Sequence, residues 1–350
     1  MKSERVSLPN ADKLGLLSNL STMVNAGLTL AEAVESLLED ATGNVKIVLT
    51  GIQADIIQGK PLHTALSKYP RIFDRVTVAI IKAAEESGTI DVVLKDVKNT
   101  IKKDIEFVDK IRSALTYPTV ILVVFFGVLL LLLTFVIPKI SDVFLQLRVN
   151  LPLPTRILIA LSDIILHYTI PTLVVLGGCI ASMIYLYKKQ RKLFVRLFLS
   201  LPYISSVARQ VDLTRFSRSM YLLLISAIPL YSALELAEGT AVKREIREAI
   251  VRAREYVGGG KRLADGLRGN RAIPALMVKI IEVGERSGTL DKSMEDISEY
   301  FDYQVTTTLQ YLMTLLEPVI LVLVGVIVGG MMMAIIAPIY NLIGQVGEFK

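Results

Sequence analysis

One cysteine, Cys179, and two histidines, His63 and His167, are all that 350 residues contain of either type. An intramolecular disulfide is therefore excluded, and so is a Cys/His centre of the zinc-finger kind, which leaves oxygen donors as ligands for any metal. Charge is sparse as well: 21% of residues are Asp, Glu, Lys or Arg against 52% hydrophobic, and mean hydropathy is +0.53. An average so apolar excludes a disordered chain, a collagen or a coiled-coil rod, and points to membrane segments set in a polar framework. The excess of 39 basic over 33 acidic residues, a net +6, fits the cytoplasmic flanks of membrane helices better than a nucleic-acid surface, so no directly bound nucleic acid is expected. No stretch sustains two-residue alternation, which leaves an all-α chain.

The charge-free runs give the spans. Pro118 to Val136 and Pro318 to Tyr340 carry no ionisable acid or base, and each matches the ~20 residues a helix needs to cross ~30 Å of hydrocarbon. A third apolar stretch, Ile164 to Tyr187, is interrupted by His167 and Pro171 near its start. Lys102, Lys103, Lys110 and Arg112 precede the first span, and Lys188, Lys189, Arg191, Lys192 and Arg196 follow the middle one, whereas the 138–163 segment holds only Lys139, Arg148 and Arg156. The positive-inside rule then puts the N-terminus and 188–312 in the cytoplasm. The opening residues, Met1 to Lys13, are polar and show no cleavable signal pattern.

The chain repeats itself at an offset of 200 residues. Leu30, Ala33 and Glu35 recur as Leu230, Ala233 and Glu235; Ile80, Ile81, Glu85, Ser87, Gly88, Thr89, Asp91 and Asp96 recur as Ile280, Ile281, Glu285, Ser287, Gly288, Thr289, Asp291 and Asp296; Leu115, Pro118 and Pro138 recur as Leu315, Pro318 and Pro338. Both copies end in a membrane crossing, so the helix at 164–187 must return the chain to the cytoplasm before the second copy begins. Apolar residues at three-and-four spacing, with breaks at Gly27, Gly43 and Gly59, predict roughly five or six short helices per copy, enough to bury a core of its own. The expected layout is a polytopic all-α membrane protein: a first cytoplasmic helical bundle at 1–112, a span at 113–137, a periplasmic loop at 138–163, a span at 164–187, a second bundle at 188–312, a span at 313–340 and a short periplasmic tail at 341–350.

Two motifs stand out as contact candidates. In Glu85-Glu86-Ser87-Gly88-Thr89, repeated as Glu285-Arg286-Ser287-Gly288-Thr289, the glycine suits the left-handed end of one helix and the threonine the cap of the next. Two readings fit: a capped helical corner, or a protein contact or oxygen-ligand divalent-cation site built on Glu85 and Glu285. At the water–lipid boundary, Tyr117-Pro118 and Glu317-Pro318 mark a bend, because proline lacks the donor for the carbonyl four residues back; a hinge that transmits motion is the alternative. Glu317 is expected in the membrane interface rather than in an ion path. The chain should continue helically from Ile90 to Ile137, which if unbroken would extend about 70 Å at 1.5 Å per residue. Gly258-Gly259-Gly260-Lys261 is not a phosphate loop, since that spacing needs glycine at Glu255 and Ser or Thr at Arg262. No nucleophile has a histidine at useful spacing, His63 is expected on a helix surface and His167 at the interface, and the charge-free spans argue against an intramembrane enzyme or a transporter, the main competing class.

Taken in order, Asn25-Ala-Gly27-Leu28, Gly284-Glu285-Arg286-Ser287-Gly288-Thr289-Leu290, Ala114-Leu-Thr-Tyr-Pro118, Glu317-Pro318 and Pro338-Ile-Tyr-Asn341 resemble the inner-membrane platform proteins of type IV pilus assembly and type II secretion, over about Lys13 to Val346. The resemblance implies a non-catalytic homo-oligomer of the bacterial inner membrane without a cofactor. Its partners would be the lipid bilayer, a cytoplasmic hexameric assembly ATPase, pilins or pseudopilins and other inner-membrane assembly proteins. Ala84 and Ile90 depart from the glycine and leucine of the corner motif, and the extension common before the first domain of this family is nearly missing.

Overall fold

The computed structural model describes residues 6–146, 153–167 and 202–347, and among these there are helices and turns but no strand. In the first repeat α1 is Asn10–Asn25, α2 Leu30–Glu39, α3 Gly43–Ile57, α4 Leu62–Ser67, α5 Arg75–Ser87 and α6 Ile90–Leu131. After a π-helical turn at Leu132–Val136 come α7, Ile137–Gln146, and α8, Leu153–His167. The second repeat returns the same order: α9 Pro202–Ile225, α10 Leu230–Glu238, α11 Arg244–Gly258, α12 Leu263–Leu267, α13 Ala275–Ser287 and α14 Leu290–Gly347.

Local chemistry sets the boundaries. Thr29 and Glu32 form a reciprocal capping box at the start of α2, and the Asp74 carboxylate accepts the Thr77 N–H at 2.8 Å to open α5. Gly88 and Gly288, with φ of 72° and 73°, stop α5 and α13 in the left-handed region that glycine enters without penalty. At the end of α1 Gly27 does the same at φ 91°, while its counterpart after α9 is Ala227 at φ 57°.

The chain divides into two compact units. One draws on residues up to Lys110 and on Tyr203–Thr307, the other on those from Ile111 and from Thr308 onward, so the division falls inside α6 and α14. Separate cores were expected for the two repeats, but the first unit has one contiguous apolar core to which both contribute. Leu17, Ile52, Leu66, Ile81 and Leu94 belong to it together with Leu213, Phe216, Leu234, Ile250 and Met294, none more than 2% exposed. The faces between them show why: Leu222 on α9 shares a cleft with Val76 and Phe107 of the first repeat and is buried, whereas its counterpart Thr22 on α1 is exposed, so burial of that apolar face goes with the packing of the repeats.

In the second unit, helix runs through Pro118 and Pro318 without a break in assignment. The interruption in the first repeat is instead the π turn just before Pro138. Among the described residues two helices, Ile90–Asp142 and Leu290–Met333, are long and apolar enough to cross a membrane. Val123, Phe135, Val326 and Met333 are each at least 66% exposed, as suits side chains that face hydrocarbon. The 138–163 stretch, expected to be a loop, is helical in its described part, as α7 and α8. Apolar residues at helical spacing, Leu153, Ile157, Leu161 and Ile164, account for α8. Of the middle span expected at 164–187, residues 168–187 lie outside the described residues.

Candidate functional site

The two corner motifs adopt the same geometry in both repeats. Glu85 Oε1 accepts the Leu62 N–H at 2.5 Å and its Oε2 accepts the His63 N–H at 3.0 Å. Glu285 accepts the Leu263 and Ala264 N–H groups at 2.6 and 2.9 Å. These amides are the unpaired donors at the first turn of α4 and of α12, where a carboxylate also meets the positive end of the helix dipole. The motif glutamate is thus a cap supplied from another helix, and it pins the short helix to the long one beside it. His63, expected on an open surface, is half-buried and lies with Nδ1 2.5 Å from Glu85 Oε2. Ser87 Oγ donates to the Ala83 carbonyl at 2.8 Å and pairs with Thr89 Oγ1, and Ser287 does likewise with Val283 and Thr289.

Among the described residues no group of three or more His, Cys, Asp or Glu converges to hold a metal, and both oxygens of Glu85 and Glu285 are engaged by amides. Outward from each corner point Glu86, 67% exposed, and Arg286, 61% exposed. In the second unit Tyr117, Glu317 and Pro318 are exposed and Pro118 is buried. An apolar groove of about 350 Å³ runs there between α6 and α14, lined by Val124, Phe125, Val128, Val324, Ile327 and Met331 among others. Gly258 ends α11 and Gly260 takes φ 73°, so the glycine triplet is a helix stop.

Sequence reasoning missed the polar cluster where the repeats meet. Arg218 on α9, with 5% of its side chain exposed, pairs with Asp104 of α6 and, at 3.3 Å, with Asp302 of α14, and lies over the Phe107 ring. Lys110 approaches Asp302 at 3.7 Å, and Lys103 reaches Glu299 at 3.1 Å. The cluster borders a cleft of about 1100 Å³ that also includes Lys13, Asp74, Arg75 and Arg215. Burial pushes the Lys13 ammonium below its ordinary value, against the raising influence of Asp74 and Asp104. A second missed cap is Asp212, buried on α9, whose Oδ2 accepts the Val242 and Lys243 N–H groups that open α11. Burial raises its carboxyl pKa, with those two hydrogen bonds opposing. One signal was available for the cluster: Arg218 stands where the first repeat has Ser18, so it breaks the duplication.

A family model described as "Type II secretion system (T2SS), protein F" matches residues 16–138 and again 216–338. The chain belongs to this family. The two matches are offset by the same 200 residues as the internal repeat, and each runs from the shared core into an apolar helix. Curated relatives of the type II secretion system protein F family include "Type IV pilus assembly protein PilC" of Thermus thermophilus, 32% identical with 96% of this chain and 84% of the relative covered. The protein of the same name from Myxococcus xanthus is 29% identical, with 96% and 81% covered. "Type II secretion system protein F" of Aeromonas hydrophila is also 29% identical, with 95% and 87% covered.

Proposed function

We propose that this chain is the inner-membrane platform of a type IV pilus or type II secretion machine. The observation that carries the reading is the double family match in which each copy leads from a helical core into an exposed apolar helix. Relatives named for pilus assembly and for type II secretion, aligned over nearly the whole chain, support it. In this reading both helical repeats lie in the cytoplasm, as the lysines and arginines ahead of the first span favour, and three spans hold the protein in the bilayer. The platform works as an oligomer and performs no catalysis. Its cytoplasmic face meets a hexameric assembly ATPase, whose strokes turn or lift the helices so that pilin or pseudopilin subunits leave the bilayer for the filament. One property suits a part that is driven by another: a close-packed core shared by both repeats, from which each repeat's last helix continues into its apolar segment. The apolar groove between α6 and α14 offers hydrocarbon-like surface to the apolar helix of such a subunit.

Photo-crosslinking in native membranes tests this. Probes at the exposed corner residues Glu86 and Arg286 should capture the ATPase, and probes at Val124 and Val328 should capture a pilin or pseudopilin. Capture of neither overturns the platform reading.

A further inference from the structure

The two repeats do not meet through equivalent surfaces. Repeat one contributes α5 and α6, and repeat two contributes α9 and α10: Val76 and Ala79 share the cleft with Leu236, Gly239 and Thr240, and Arg218 reaches Asp104. A contact between different faces of like units leaves one face of each kind unused. The burial pattern marks both. On repeat two, Leu276 is 45% exposed where Val76 is 6%, and Tyr300 is 39% exposed where Thr100 is 9%. Val283 and Tyr303 are exposed as well, so α13 and α14 present an apolar and aromatic strip, and at Leu276 and Tyr300 the first repeat covers the matching positions. On repeat one, Ser18 is half-buried where Arg218 is buried, and Thr22 is exposed where Leu222 is buried. The α1–α2 face is open where the α9–α10 face is covered.

We propose that the open α13–α14 face around Leu276, Lys279 and Tyr300 receives the open α1–α2 face of a second copy of this chain. It would repeat between chains the contact that the two repeats make within one. This deepens the oligomeric part of the platform reading and rests on that part alone. The chemistry of the exchanged positions supports the assignment. Within the chain, Ala79 shares the cleft with Gly239 and Thr240; their counterparts are Lys279 on one open face and Glu39 and Asp40 on the other, all exposed. Small, uncharged residues on the two sides of the cleft are thus replaced at once by opposite charges. Conversely the buried Arg218 and its exposed partner Asp104 are replaced by Ser18 and Gln304, so no charge would be buried without a partner. Because the faces differ, association continues from copy to copy until the rotation closes a ring.

The test uses the full-length chain in native membranes, with Cys179→Ser as background, and needs neither ATPase nor pilin, so its failure is distinct from failure of the platform reading. Chains carrying Glu39→Cys alone or Lys279→Cys alone are treated with a short bismaleimide, separately and co-expressed. A crosslinked dimer only in the mixture, and a ladder beyond the dimer for the chain carrying both cysteines, is expected. Dimers from either single variant alone, or no product from the mixture, would overturn the arrangement. Independently, Lys279→Glu should lower self-association on the order of tenfold, the scale of a like-charge contact at an interface, and adding Glu39→Lys with Asp40→Lys should restore it. An unchanged association with Lys279→Glu, or a loss that the paired reversal leaves unrepaired, counts against it equally.

Discussion

The Ser162 hydroxyl on α8 donates to the Leu133 carbonyl at 2.6 Å, and both groups are buried. The bond follows from a proline five residues further along. In the π turn the Ile137 N–H goes to the Leu132 carbonyl, and Pro138 has no N–H to give Leu133. A carbonyl freed in an apolar setting needs another donor. Ser162→Ala should therefore lower stability in detergent by about 1–3 kcal/mol, the cost of a buried acceptor left unpaired. In a Pro138→Ala background, where the backbone donor returns, the same change should cost clearly less. Thermal unfolding of the four chains checks the coupling, and equal losses in both backgrounds would refute it.

Glu285→Ala removes the acceptor for two first-turn amides of α12 and should destabilise the chain by about 1–2 kcal/mol, the range of a lost helix cap. Glu285→Gln keeps an oxygen but no charge and should fall between. The consequence for function studies is specific: loss of pilus assembly or secretion in a Glu285 variant reports a loosened helix first and a lost partner contact second. Reversal of the exposed Arg286 or Glu86 separates the two, because these residues make only exposed ion pairs with Glu282 and Lys82 and a melt should shift by less than about 1 kcal/mol, while crosslinking to the proposed ATPase reads the surface.

Gly284 has no room for a side chain. A Cβ there would stand 2.3 Å from Ser293 Oγ and 3.1 Å from the Leu290 Cα. The first repeat carries Ala84 and Val93 at the matching positions and buries both, so the same corner has been packed in two ways. Gly284→Ala should cost about 1–3 kcal/mol through overpacking. Combining it with Ser293→Gly should recover part of the loss, as measured by the thermal midpoint.

How much of this was legible depends on how far along the chain each partner lies. The duplication and the left-handed glycines at 88 and 288 were readable, since one needs only self-comparison and the other only the backbone rule that glycine alone enters that region freely. The role of Glu85 was left between two readings because its amide partners, Leu62 and His63, lie 23 and 22 residues earlier, and no local pattern links them. Arg218 could be flagged as a break in the repeat, but its partners Asp104 and Asp302 depend on how the repeats pack. The 138–163 segment reads as a loop from its place between two spans, and the apolar spacing of Leu153, Ile157 and Leu161 that α8 uses is present in it.

Ala227 holds φ 57°, the one positive value at a residue other than glycine among the described residues, at the turn where the first repeat has Gly27. A left-handed alanine costs about 1–2 kcal/mol, and glycine loses about 0.5–1 kcal/mol of that advantage through its freer unfolded chain. Ala227→Gly should thus stabilise the protein by about 0.5–1 kcal/mol, and Gly27→Ala should destabilise it by a similar amount. Opposite shifts of the melting midpoint are the expected outcome, and shifts of the same sign would refute the strain argument.

Asp55, only 4% exposed, is held by Lys68 at 2.5 Å and Lys60 at 3.0 Å. Hydrogen bonds from Lys68 and then Lys60 keep its carboxyl below the ordinary value, with burial opposing them. A folded-state pKa below the unfolded one means that the unfolded chain takes up the proton first as pH falls. The stabilisation is therefore complete above the unfolded value of about 4 and is lost as pH drops through the lower folded value. Denaturation midpoints followed from about pH 7 to about pH 2 should decline more steeply below about pH 4 in the wild type than in Asp55→Asn. Near neutral pH the asparagine variant should be the less stable of the two. Parallel curves would mean that the two lysines, each nearly half exposed, are screened by water strongly enough to leave the carboxylate without net benefit.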